Sequence, residues 1–213
     1  MKDRLRSPQK SFAAVSGFVR ECNPMTSESL QDLLLRSPNK KELRELYHEI
    51  NTGTDRSAVI VTGIFVENAL REAITARLHR LTKKQLSQLF EGTAPLTSFS
   101  SKIRIGYALG VFENQARDNL DLIRRIRNAF AHARRPISFR SHQVIALSNS
   151  MSHAAIWKKN PTLINKPPHE QAKGVYSYTA MLLYVALKVA AKKDKRRKVR
   201  KPAIRALAND WST

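Results

Sequence analysis

The stretch "LIRRIRNAFAHA", residues 122–133, decides how this chain is read. Stepping about 100° per residue along a helix places Leu122, Ile123, Ile126, Ala129, Phe130 and Ala133 within an arc of about 120°, the width of one buried face. Arg124, Arg125, Arg127, Asn128 and His132 fall outside that arc, as do Arg134 and Arg135 if the helix continues toward Pro136. A helix with one apolar stripe buries it against other elements. The segment therefore predicts a helical bundle whose polar set stays out of the core.

Upstream, Val59, Gly63, Val66, Leu70, Ile74 and Leu78 recur at intervals of three or four, which predicts a long helix capped by Asp55 and ending near Leu81. Leu43, Leu46, Tyr47 and Ile50 mark an earlier helix over 41–50. Leu86, Leu89 and Phe90 mark a short one stopped by "EGTAP", residues 91–95. Ser98 or Ser100 can cap the next, along which Phe99, Ile103 and Tyr107 share a face before Gly110 ends or kinks it. The helix of the opening stretch then runs from about Glu113 to Ala133.

Downstream, Pro136 stops that helix and "ISF" is a short extended piece. Val144, Leu147, Met151 and Ala155 fit a modest helix. Residues 158–174 contain three prolines and read as loop, and an apolar helix follows over 175–191. No run alternates long enough for a sheet. The fold class expected is all-α, with a basic N-terminal arm over 1–40, a bundle over 41–191 and a basic tail over 192–213.

A chain of 213 residues can bury one good core. Its 38 Lys and Arg against 17 Asp and Glu leave a formal charge of +21, which favours polyanionic partners through counterion release. The single Cys22 forms no internal disulfide, so a reducing, cytoplasmic setting is expected. The stretch from Phe12 to Val19 is interrupted by Ser16 and Gly17 and lacks an export cleavage site. The apolar segment at 175–191 is shorter than the roughly 20 residues that span a bilayer and carries Lys188, so it reads as a buried helix and membrane association is not expected.

From Lys188 to Arg205 ten Lys or Arg face one acid, Asp194. Lys195, Arg196, Arg197, Lys198, Arg200 and Lys201, with Arg124, Arg125, Arg134 and Arg135, are the candidate nucleic-acid contacts. The same residues also fit a merely solvated surface. Trp211 could stack on a base.

Arg127 and His132 lie about 140° apart on the helix with Asn128 between them. The guanidinium could lean across Asn128 toward the imidazole, or the two could meet across a groove between protomers. A histidine, titrating near pH 6.5 when unperturbed, can then move the proton of an RNA 2′-hydroxyl, while the arginine stabilises charge on the phosphoryl oxygens and Asn128 orients either group. No metal or cofactor is required, and DNA lacks the attacking hydroxyl. Against this stands an ordinary exposed helix, with Asp121 paired to Arg125 and His132 set against the helix dipole. His48, His79, His142, His153 and His169 show no spacing suited to a metal site.

"GTAPLTSFSSKIRIGYALGVF", residues 92–112, followed by "LDLIRRIRNAFAHARRPISF", residues 120–139, resembles the bacterial family named after the mannitol operon repressor, the MltR-like proteins. Phe65, Val66, Glu67 and Leu70 fit the same pattern, and the resemblance covers about residues 45–150. It implies an all-helical domain and a role in transcriptional repression, although no helix-turn-helix with a base-reading helix is present in the sequence.

The Arg127, Asn128 and His132 spacing is also similar to the signature of HEPN domains. That resemblance implies a small, often dimeric bundle that is either a metal-independent endoribonuclease or an inactive RNA binder. It further implies Glu67 or Glu72 as an acidic partner, where the residues alone read Glu67 as solvated or paired with Arg71. Two functions are therefore expected: a homodimeric protein that binds or cuts nucleic acid, RNA ahead of DNA, or a non-catalytic regulator.

Overall fold

The computed structural model describes residues 40–159, 161 and 164–195. The expected arm, apart from its last residue, lies outside the described residues, as does most of the expected tail. The described chain is helical without strands: α1 (Lys40–Thr52), α2 (Asp55–Arg77), α3 (Lys83–Phe90), α4 (Phe99–Ala108), α5 (Asn114–His132), α6 (His142–Asn149), α7 (Ala154–Lys158) and α8 (Pro168–Lys195). The all-α expectation holds.

The central element is α2, which packs against α4, α5 and α8. Its cap is Thr54, one residue before the expected Asp55: Thr54 is extended and its Oγ1 accepts from the Ser57 amide at 3.1 Å. Asp55 is thereby released for tertiary work. Its carboxylate accepts from the Phe139 amide at 3.0 Å and from Lys173 Nζ at 3.0 Å. The helix ends at Arg77 instead of near Leu81, because Leu78 is extended at ψ 161°. Val59, Val66, Leu70 and Ile74 are fully buried along it, each contributing about 1.5–3 kcal/mol relative to an exposed side chain.

The helix α8 runs parallel to α2 in constant register. Lys173 meets Asp55, the Tyr176 hydroxyl donates to the Val59 carbonyl at 3.1 Å, Lys188 Nζ donates to Glu72 at 2.6 Å, and Arg77 pairs with Asp194. Tyr176 is buried beside Phe139, which in turn packs on Phe130, both ring pairs at 5.7 Å. That burial pushes the Tyr176 phenol well above the usual tyrosine value.

Two expectations about α8 are corrected. It starts at Pro168, inside the segment expected to be loop, because a proline is tolerated in the first turn, where the missing amide would have no helical partner. It also continues past residue 191 to Lys195, its last turn held by the buried Asp194. At this length Pro168–Asp194 is long and apolar enough to cross a membrane by length and composition, unlike the shorter expected segment. Here Val175, Tyr176, Leu183 and Leu187 are buried, while Met181, Val185 and Val189 are exposed on the outer face.

The remaining helices form as their sequences dictate. Thr82 and Gln85 make a reciprocal capping box for α3, and Ser98 caps α4 by accepting from the Ser101 amide. Gly110, at φ 64°, ends α4, and its carbonyl accepts from Arg77 at 3.1 Å. Val144 and Met151 are buried, but the expected single helix through Ala155 is broken into α6 and α7 at residues 150–153.

Asp55→Ala removes the acceptor that joins the starts of α2 and α8 to the loop after α5. We expect a loss of about 1–3 kcal/mol, or several degrees in Tm, in thermal or urea unfolding followed by circular dichroism. An unchanged midpoint would show that this junction contributes nothing.

Candidate nucleic-acid interface

The helix α5 forms as its periodicity predicts, with Leu120, Ile123, Ile126 and Phe130 fully buried. It runs antiparallel to α2, since Arg56 reaches the Ala133 carbonyl at 2.9 Å and Arg127 reaches Glu67 eleven residues further along α2. Where the helices cross, Gly63 faces the Arg127 stem. A Cβ on Gly63 would stand 2.8 Å from Arg127 Cγ, so glycine is what permits this approach.

The expectation that the polar set stays out of the core fails at Arg127. Its position is only about 40° past the Ile123 edge of the apolar arc, and its side chain folds over that edge toward α2. The guanidinium pairs with one oxygen of Glu67, and Lys102 Nζ donates to the other at 2.6 Å. Lys102 also donates to the Thr97 carbonyl at 2.9 Å. The three side chains are 23%, 13% and 9% exposed, in the order Arg127, Glu67, Lys102. Arg127 further donates to Asn128 Oδ1 at 3.1 Å and lies 5.7 Å from the Phe99 ring centre, while its Nε is buried without a partner.

This junction also corrects the reading of Glu67 as solvated or as the partner of Arg71. Arg71 instead pairs with Glu91 at 3.1 Å, where the guanidinium and the Ser87 hydroxyl hold the Glu91 carboxyl below its usual value. Glu72, the other acid considered, holds Lys188. The alternative in which Asp121 pairs with Arg125 is likewise replaced: Asp121 holds Arg124 at 2.9 Å, and Arg125 is exposed.

His132 is the last residue of α5 and is exposed. Among the described residues no hydrogen bond joins it to Arg127 or to Asn128. The helix does not continue to the next two arginines, because Ala133 turns extended at ψ 122°. Arg134 and Arg135 instead begin a loop whose Phe139 amide is held by Asp55.

The loop gathers charge at one end of the bundle. His132, Arg134, Arg135 and Arg140 are exposed around it, and Arg56 joins them from α2. Asp55, next to Arg56 in the sequence, is already engaged by Lys173 and the Phe139 amide. Such a surface can hold phosphates but has no built means of reading bases. Lys195 closes α8, and Arg196, Arg197, Lys198, Arg200 and Lys201 lie outside the described residues. Among the described residues no three of His, Cys, Asp and Glu gather as metal ligands.

Sequence reasoning missed Lys102, Arg56 and Arg140. Lys102 carried a local signal, since Phe99, Lys102, Ile103 and Gly106 occupy one buried helical face and a lysine there must find an acid. Arg56 and Arg140 carried none, because only tertiary packing brings their segments together.

No protein-family model matches the chain, and no curated protein matches it. The fold is similar to that of a chain in the X-ray structure of the MtlR–HPr complex from Escherichia coli, at 17% identity and a TM-score of 0.48, covering 71% of this chain and 97% of that one.

Glu67→Gln leaves Lys102 and Arg127 without their counter-charge, and we expect it to cost about 3 kcal/mol in urea unfolding. Lys102→Met keeps the Arg127 pair and should cost less. Equal stability of Glu67→Gln and wild type would remove the junction from the account of the fold.

Proposed function

We propose that this chain is a non-catalytic helical regulator that holds nucleic acid through phosphate contacts. The observation that carries this reading is the engagement of Arg127. Its guanidinium is taken up by Glu67 and Asn128, while the exposed cations Arg134, Arg135 and Arg140 stand on the loop side, with Arg56 alongside and His132 exposed at the end of α5. Phosphate neutralisation by such a surface is independent of sequence and steeply dependent on salt. RNA and DNA duplexes would both bind.

A second reading keeps the ribonuclease. It is supported by Glu67 standing on Arg127, the acid–arginine pair that the HEPN resemblance implies, with His132 exposed on the same helix. Cleavage would then require Arg127, Asn128 and His132 to converge on one RNA across a homodimer. The outer stripe of α8, with Met181, Val185 and Val189 exposed, is the apolar surface available for such an association.

Binding to labelled RNA and DNA duplexes should weaken steeply with added salt. Replacing Arg134, Arg135 and Arg140 by Gln should lower the slope of log affinity against log salt by about 2–3. His132→Ala should leave affinity nearly unchanged, because the arginines and not the histidine supply the phosphate contacts. Single-stranded RNA should stay intact in chelator. Cleavage that disappears in His132→Ala would instead establish the nuclease, and salt-independent association would point to a protein partner.

A further inference from the structure

The basic end built around Arg134, Arg135 and Arg140 has a counterpart at the opposite end of the bundle. Asp55 and Lys173 meet at the start of the parallel pair, and Arg77 and Asp194 meet at its finish. Over the 22 helical steps from Asp55 to Arg77 the rise of 1.5 Å per residue separates these ends by about 33 Å. Just beyond Arg77, His79 and Arg80 are exposed, and beside Asp194 so are Lys192 and Lys193. Lys83 and Lys84 follow at the start of α3, also exposed.

The acids near this second pole are mostly occupied. Asp194 is buried on Arg77 and Asp118 is paired with Arg117 at 3.0 Å, leaving Glu113 exposed at the start of α5.

The helix α5 connects the poles. The Gly110 carbonyl, four residues before it, accepts from Arg77, and Ala133, one residue after it, accepts from Arg56. Along its outer side Arg125 is exposed, and both exterior acids, Asp118 and Asp121, are paired with arginines. Between the poles α8 offers nothing comparable, since its exposed residues there, among them Met181, Val185 and Val189, carry no charge.

A separation of about 33 Å is close to one turn of a double helix, about 34–36 Å or 10 base pairs. We infer that one duplex lies along α5 and is held at both poles at once, its phosphates contacted about one helical turn apart. This rests on the nucleic-acid reading above and adds a length requirement to it. A duplex shorter than a turn meets one pole only. A longer one converts the second contact into an intramolecular event, which raises affinity without any new kind of contact.

The test compares hairpin-closed duplexes of about 6 and about 16 base pairs, below and above one turn, against the full chain and two variants. One variant carries Arg134→Gln, Arg135→Gln and Arg140→Gln; the other carries Arg80→Glu, Lys192→Glu and Lys193→Glu. For wild type the long duplex should bind at least about tenfold tighter than the number of overlapping sites accounts for. Each variant should lose that excess while changing affinity for the short duplex far less. If both lengths bind and each variant weakens them by the same factor, the poles act independently and this inference fails alone. If neither length binds, the nucleic-acid reading fails with it.

Discussion

The parallel pairing of α2 with α8 is the constraint on which the rest of the structure depends. Four contacts at nearly constant sequence offset hold it: Asp55 with Lys173, Val59 with Tyr176, Glu72 with Lys188 and Arg77 with Asp194. The ion pairs at the two ends fix the register, and the buried column between them supplies the apolar energy. Because Asp55 also holds the Phe139 amide, the same register positions the loop that carries Arg134, Arg135 and Arg140. Fold and candidate surface are thus set by one helix pair.

The junction of Glu67, Lys102 and Arg127 adds a second constraint of a different kind. Two cations on one carboxylate in a mostly buried crossing would be costly unless each donor had further acceptors, and Thr97 and Asn128 supply them. Gly63 lets the helices approach closely enough for Arg127 to reach Glu67 at all. An arginine that looked, by angle alone, like part of a solvent-facing set is therefore a crossing point of α2, α4 and α5.

Much of the architecture was legible in the sequence, since hydrophobic period marks helices independently of their neighbours. Val59, Val66, Leu70 and Ile74 along α2, and Ile123, Ile126 and Phe130 along α5, are buried where spacing placed them, while Leu78, Leu122, Ala129 and Ala133 at the margins are half-buried. What failed were the decisions that turn on tertiary partners. Asp55 had the right chemistry for a cap but is needed by Phe139 and Lys173, so Thr54 takes that role. The start of α8 was hidden by prolines that mark a loop by composition and here precede or open a helix. At the candidate surface Arg134 and Arg135 were found by charge, whereas Arg56 and Arg140 needed the packed ends of distant segments.

The pairing of α2 with α8 also bears on how the chain acquires its structure. Every contact that fixes the register joins residues separated by more than 110 positions, so the central column of α2 stays half covered until α8 is available. The entropy of closing so large a loop is met before the contacts repay it, which places this bundle among slower folders than its helical content suggests. A nascent chain would carry the apolar side of α2 uncovered until α8 has been made, a period in which chaperone engagement or aggregation competes with folding.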